Sequence, residues 1–207
     1  MQERYREAIL VNTDRSREYK YLDVAFCVWR KVAKIGWLDL VRPRLRMLDI
    51  GSGGGDLSAV CSGLGHEVLG MDRPDPPLFR ELHDLYGVKR VDHIVYPKSP
   101  FPDEVGEYDL ITCLGVVFDI FSKTEDAVTT WTTEDWLHFL RALSARHVRF
   151  PGRIYVELNR RVEPDGSSAY DDLLRACQSM GARVDAARGR IMFSLTRPLA
   201  LAEEAAH

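Results

Sequence analysis

Cysteine is scarce in this chain, and its four copies are scattered. Cys27, Cys61, Cys113 and Cys177 lie at least 34 residues apart, so no CxxC pair exists. That spacing argues against a zinc or dithiol motif, and each thiol sits among apolar residues, as a small buried hydrophobe does in a reducing cytoplasm. The six histidines show no metal-ligand spacing either. Long apolar runs are absent too. The longest covers residues 110–118, nine positions closed by Asp109 and Asp119. A membrane-spanning helix takes about 20. The N-terminal residues, Met1 to Arg6, lead into no apolar stretch, which predicts no secretory leader. An excess of basic charge is lacking as well: 28 Lys and Arg stand against 31 Asp and Glu, a net charge of −3. A protein whose main work is holding nucleic acid should carry a basic surface, so that class is disfavoured.

What remains is ordinary globular chemistry. The 207 residues are 45% hydrophobic and 29% charged, enough for one domain with a substantial core. Residues 1–40 read as a helical appendage. Glu18 to Ile35 holds no Gly or Pro, and Tyr21, Ala25, Val28 and Val32 make an apolar stripe. Strands and helices alternate from there on. Strands are expected at 46–50, 67–71, 93–96, 108–113 and 153–158, with helices at 57–64, 78–86, 133–146 and 168–180. Thr132 with Asp135 resembles a helix-capping pair. The last two strands, 183–187 and 190–195, flank a tight turn and must be antiparallel. The pattern predicts an α/β fold over residues 41–207: a doubly wound, mostly parallel seven-stranded sheet with one antiparallel strand from the C-terminal hairpin, and residues 1–40 as an N-terminal helical lid.

The most informative stretch is Leu48-Asp49-Ile50-Gly51-Ser52-Gly53-Gly54-Gly55. Glycines where a strand turns into a helix let a ligand approach the backbone closely, and the helix start offers it free amides. Asp72 ends the next strand, 21 residues beyond Gly51. A carboxylate there can accept the two hydroxyls of a ribose. A dinucleotide fingerprint would put Gly or Ala where Asp56 stands. An acidic side chain at that helix start repels a pyrophosphate, and with Asp49 it suits a cationic ligand better.

These motifs resemble those of the class I S-adenosylmethionine-dependent methyltransferases. Residues 48–55 match the first motif of that family and Val68 to Asp72 the ribose-binding strand end. Tyr108 to Ile111 match the fourth-strand motif, and Pro151 to Val156 the entry to the fifth strand. The likeness covers roughly residues 40–197. It implies that Gly51, Gly53 and Gly55 pass the methionine part of the cofactor, that Asp49 orders the loop and helps hold the amino group, and that Asp72 takes the ribose. It also places Ser52, Arg73 and Leu114 beside the cofactor. One departure stands out. Many members carry an acid after the third strand for the adenine amino group, whereas Ile94 to Ser99 hold none; Tyr96 is the candidate to pack on the ring instead.

The resemblance implies S-adenosylmethionine as the cofactor and O- or N-methylation of a small molecule, by a monomer or homodimer. The acceptor belongs at the carboxyl ends of the strands. Asp119, after the fourth strand, and Glu157, at the end of the fifth, are the candidate catalytic carboxylates. Tyr19, Tyr21, Phe118 and Asn159 are the candidate substrate contacts, and the long link from Asp119 to Thr132 should shape the pocket. Transfer from a sulfonium depends largely on alignment, so a catalytic dyad need not be visible. Two alternatives remain open: a nicotinamide-dependent oxidoreductase, and a non-catalytic nucleoside-binding scaffold of the same fold.

Overall fold

A computed structural model of the protein describes residues 3, 5, 19–41, 44–117, 119–124, 127–159 and 168–200. Seven strands form one sheet. They are β1 (Arg46–Ile50), β2 (Glu67–Asp72), β3 (Lys89–Asp92), β4 (Tyr108–Val116), β7 (Val148–Leu158), β8 (Arg183–Asp185) and β9 (Arg190–Leu195), in the order β3-β2-β1-β4-β7-β9-β8. The pairs β3–β2, β2–β1, β1–β4 and β4–β7 are parallel, while β9 runs antiparallel to both β7 and β8. This is the expected architecture, with β9 as the reversed strand. Five α-helices accompany it among the described residues: α1 (Val24–Ile35), α2 (Asp56–Gly63), α3 (Pro77–Tyr86), α4 (Thr133–Arg146) and α5 (Asp171–Ser179).

Both faces of the sheet are covered, as the near-continuous apolar runs of its inner strands require. Side chains alternate between two cores. Leu48, Ile50, Ile111, Cys113, Ile154 and Val156 pack with Trp136, Leu140 and Leu143 of α4 and Leu173, Leu174 and Cys177 of α5. On the other face Met47, Leu110 and Tyr155 pack with Leu57 and Cys61 of α2 and with Leu38 and Leu40 after α1. All four cysteines are buried free thiols. Trp131 belongs to the first core, edge-on to Trp136 at a centroid distance of 5.1 Å.

The expected capping pair at the start of α4 is a full capping box. Thr132 Oγ1 accepts from the Asp135 amide at 3.1 Å, and Asp135 Oδ2 accepts from the Thr132 amide at 3.0 Å. Thr132→Ala should therefore cost about 1 kcal/mol of stability. Urea unfolding would show it as a lower midpoint, and an unchanged midpoint would mean the cap contributes nothing.

Three local expectations need correction. The third strand is Lys89–Asp92, not 93–96. It is the sheet edge, where exposed Lys89 and Asp92 are tolerated, so the apolar signal that points to 93–96 is the wrong one. The link after β4 is not a plain loop: β5 (Ile120–Thr124) and β6 (Ala127–Thr130) pair antiparallel in a separate two-stranded sheet. The first helix also begins later, after a 3₁₀ turn at Tyr19–Leu22, with Asp23 as N-cap. Its buried side carries Cys27, while Ala25 and Val32 of the expected stripe face solvent. Apolar residues surround most of this helix, so periodicity alone does not select the packed face; Phe26 and Trp29 are exposed as well.

Candidate functional site

β1 lies inside the sheet between β2 and β4, and the chain reverses at its carboxyl end. Asp49 is buried there at 3% exposure. Its two oxygens accept the Ser58 and Thr112 hydroxyls, each at 2.9 Å. Burial pushes this carboxyl upward, opposed by Lys31 and by the two hydroxyls. Asp49 thus ties the loop base to the start of α2 and to β4.

The loop after β1 closes against β2. The amides of Gly51 and Ser52 both donate to the Met71 carbonyl, at 2.8 and 3.1 Å, and the Gly55 amide donates to the Ser52 carbonyl at 2.9 Å. Gly53 and Gly55 have φ of +56° and +79°, a region that side chains with a Cβ rarely enter. The Gly53 amide donates to Asp72 Oδ2 at 2.6 Å, and the Arg73 amide to Asp72 Oδ1 at 2.8 Å. Asp72 therefore sits beside the glycines as expected. Each carboxylate oxygen has one lone pair engaged in these bonds and a second with which it can accept.

His83 of α3 braces the loop from behind and is fully buried. Its Nδ1–H donates to the Phe79 carbonyl at 2.8 Å, which leaves Nε2 to accept from the Ser52 hydroxyl at 3.1 Å. Burial holds the imidazole below its ordinary pKa, despite that backbone bond, and favours the neutral ring. A Cβ built on Gly70 would stand 2.6 Å from His83 Nε2, and one on Gly55 would stand 3.0 Å from the ring. Those two glycines make room for the ring.

Over the loop lies Tyr21. A Cβ on Gly53 would stand 2.5 Å from its hydroxyl oxygen, and one on Gly54 would be 2.9 Å from the ring. The ring meets Phe79 edge-on at 5.3 Å. Burial and the charges of Asp56 and Asp72 push its phenol upward. Asp56, the first residue of α2, is buried at 1% exposure, and its Oδ1 has no hydrogen-bond partner among the described residues. Tyr21 thus sits directly on the glycines, in a cradle that leaves no room for a Cβ at 53 or 54. The cradle is bordered by three carboxylates, one of which holds an unused oxygen. This fits a nucleoside with a positively charged tail.

The other candidates are distributed around this centre. Tyr19 packs with Tyr5 at 5.8 Å and joins the cluster of Leu22, Leu78 and Leu82. Arg73 is exposed, and its carbonyl accepts from the Arg90 guanidinium. Tyr96 is 48% exposed. Leu114 packs against the core on the α2 face. Asn159 Nδ2 donates to the carbonyls of Gly115 and Val116, at 2.8 and 3.1 Å, fastening the end of β4. Asp119 is buried and accepts the Tyr170 hydroxyl at 2.7 Å. Phe118 lies outside the described residues. Glu157 is held by Lys34 of α1, by Arg190 at 3.0 Å and by the Tyr155 hydroxyl at 3.1 Å. Burial works against its charge, but these partners outweigh it and keep the carboxyl below its usual range. Glu157 thus fixes α1 to the sheet. Sequence reasoning missed His83, Ser58 and Thr112. The apolar face of α3, with Leu78, Phe79 and Leu82 beside His83, was the available signal for the first.

The sheet order, its single reversed strand and the glycine loop at the end of β1 define the class I methyltransferase fold. A putative S-adenosylmethionine-dependent methyltransferase from Methanococcus maripaludis superposes with a TM-score of 0.53. It shares 13% identity, over 86% of this chain and 90% of that one. A TehB-like methyltransferase from Corynebacterium glutamicum gives 0.51 at 20% identity, over 80% and 93%. In sequence, the chain is similar to the ubiquinone biosynthesis O-methyltransferase of Burkholderia vietnamiensis, with 32% identity over 120 residues, 51% of this chain and 52% of that protein. The Bordetella bronchiseptica protein of the same name is 28% identical over 151 residues, 69% and 62%. The chain thus spans about half to three-fifths of the length of these curated relatives. No family model matches the chain. Among the described residues no helix is long and apolar enough to cross a membrane, and no cluster could hold a metal.

Proposed function

We propose that this protein is a methyltransferase that uses S-adenosylmethionine to methylate a small-molecule acceptor, at oxygen in preference to nitrogen. The observation that carries this reading is the glycine cradle with Asp72 bonded to its Gly53 amide and with Asp49 and Asp56 close by. The names of the curated relatives favour oxygen as the acceptor atom. Three carboxylates around the loop disfavour the pyrophosphate of a nicotinamide dinucleotide. The four buried free thiols favour a cytoplasmic setting.

S-adenosylmethionine, when bound, supplies a methyl group on a positively charged sulfur with a neutral leaving group. This chain supplies position and electrostatics. Gly53 and Gly54 leave the backbone bare for close approach, and Asp72 accepts ribose hydroxyls while it still holds the Gly53 amide. Ser52, fixed by His83, keeps the loop in shape. Tyr96 stacks on the adenine. Asp119, at the carboxyl end of β4 and oriented by Tyr170, is the proposed proton acceptor. Glu157 is spent on Lys34 and Arg190, so we assign it to positioning α1. Within the N-terminal segment, the 3₁₀ turn Tyr19–Leu22 acts as the lid: Tyr21 lies on the cradle and moves aside as the cofactor enters, then closes over it to exclude water.

Calorimetric titration of the purified protein with S-adenosylmethionine and with NAD tests the reading. Binding of the first alone is expected, together with a change in hydrogen exchange over residues 19–30 when it binds. Binding of NAD alone would establish the oxidoreductase alternative. Cofactor binding with exchange unchanged, and with Tyr21→Phe and Tyr21→Ala both like wild type, would dismiss the lid. Methyl transfer to a panel of phenols and amines then separates an enzyme from a scaffold.

A further inference from the structure

We propose that Asp56 holds the ammonium group at the amino-acid end of the methyl donor and so gives the site its preference for a ligand with a cationic tail. This rests on the methyltransferase reading and refines it. The resemblance assigns the amino group to Asp49. Here, however, Asp49 is buried at the bottom of the loop, and each of its oxygens already has a hydroxyl donor, Ser58 or Thr112. Asp56 is the neighbouring carboxylate with an oxygen to offer. It is 1% exposed, and Oδ1 has no hydrogen-bond partner among the described residues. A buried carboxylate oxygen without a donor is costly to maintain. A ligand that brings N–H donors and positive charge would remove that cost.

The surroundings of Asp56 agree. From α1 it is faced by the Cys27 thiol, which donates to the Lys20 carbonyl at 3.5 Å, and by the charge of Lys31; from the 3₁₀ turn, by Lys20 and Tyr21. Asp49 faces it from β1, and Tyr86 from α3, whose buried hydroxyl is also without a hydrogen-bond partner among the described residues. Tyr21, which lies directly over Gly53 and Gly54, is the group that joins Asp56 to the glycine loop. Burial, opposed by Lys31 and reinforced by Asp49, raises the Asp56 carboxyl to about 6. A fraction is therefore protonated at pH 6, and an arriving ammonium would lower that pKa and expel the proton. At pH 8 the carboxyl is already ionised and no proton is released.

The test uses two nucleosides that differ at the proposed contact. S-adenosylhomocysteine carries the ammonium, and 5′-methylthioadenosine lacks the amino-acid end. Wild type, Asp56→Asn and Asp56→Ser are titrated with each by calorimetry at pH 6 and pH 8, in buffers of different ionisation enthalpy. Both variants should bind S-adenosylhomocysteine about tenfold or more weaker at pH 8, the scale of a hydrogen bond to a charged group. Their affinity for 5′-methylthioadenosine should be unchanged, and the proton release seen for wild type at pH 6 should vanish. Equal weakening of both nucleosides would make Asp56 a structural residue and overturn the inference. So would variants that bind both as wild type does. Wild type that binds neither nucleoside overturns the methyltransferase reading, and this inference with it.

Discussion

Gly53→Val should abolish cofactor binding, with affinity at least a hundredfold lower, while the circular dichroism of the sheet stays that of wild type. Two independent effects combine. The position has φ of +56°, and a β-branched side chain resists that conformation. A Cβ there also enters the cradle, only 2.5 Å from the oxygen of the Tyr21 hydroxyl. The backbone can relieve the first strain only by turning the Gly53 amide away from Asp72, which undoes the bond that aligns this carboxylate. The core strands do not depend on this residue, so the protein should still fold. Titration with S-adenosylmethionine decides the matter: affinity within threefold of wild type would make the loop an ordinary turn and remove the main support for the function.

Asp72→Ala should weaken S-adenosylmethionine binding by about 1.5–3 kcal/mol, or roughly 10- to 150-fold, because hydrogen bonds to a charged acceptor are lost. Part of that loss will reach the empty protein. The carboxylate also accepts the Gly53 and Arg73 amides, so the alanine variant leaves the loop less ordered and should unfold at a slightly lower denaturant concentration. Asp72→Asn retains one acceptor oxygen and should fall between the two in affinity. Alanine and wild type indistinguishable by calorimetry, with both folded, would remove Asp72 from the site.

The parts of the fold that could be read from the chain are those set by local conformation. The glycine loop announces itself because positive φ and close approach are properties of single residues. The reversed strand follows from a short turn, which permits no parallel pairing. The edge strand β3 hides because its exposed residues look like a loop. α1 was recognisable as a helix, but its packed face was not. That face is selected by Lys34 reaching Glu157, a partner 123 residues away. The same contact explains why Glu157 looked like a crevice carboxylate: the sequence shows its charge and its place at a strand end, not the cations that neutralise it. Thr112, 63 residues beyond Asp49, and His83, 31 beyond Ser52, were invisible for the same reason. The glycine loop and its partner Asp72 lie within 25 residues of the chain, from Asp49 to Arg73, so their juxtaposition was legible, whereas the bracing is long-range.

The imidazole of His83 occupies space released by two missing methyl groups, one on the second strand and one at the start of the second helix. Positions 55, 70 and 83 therefore share a single volume and constrain one another. A larger residue at 70 requires a smaller one at 83, and a smaller residue at 83 deprives Ser52 of its acceptor. Any redesign of this loop has to treat the three positions as one choice, for an exchange at one of them alone leaves either a collision or a void beneath the loop.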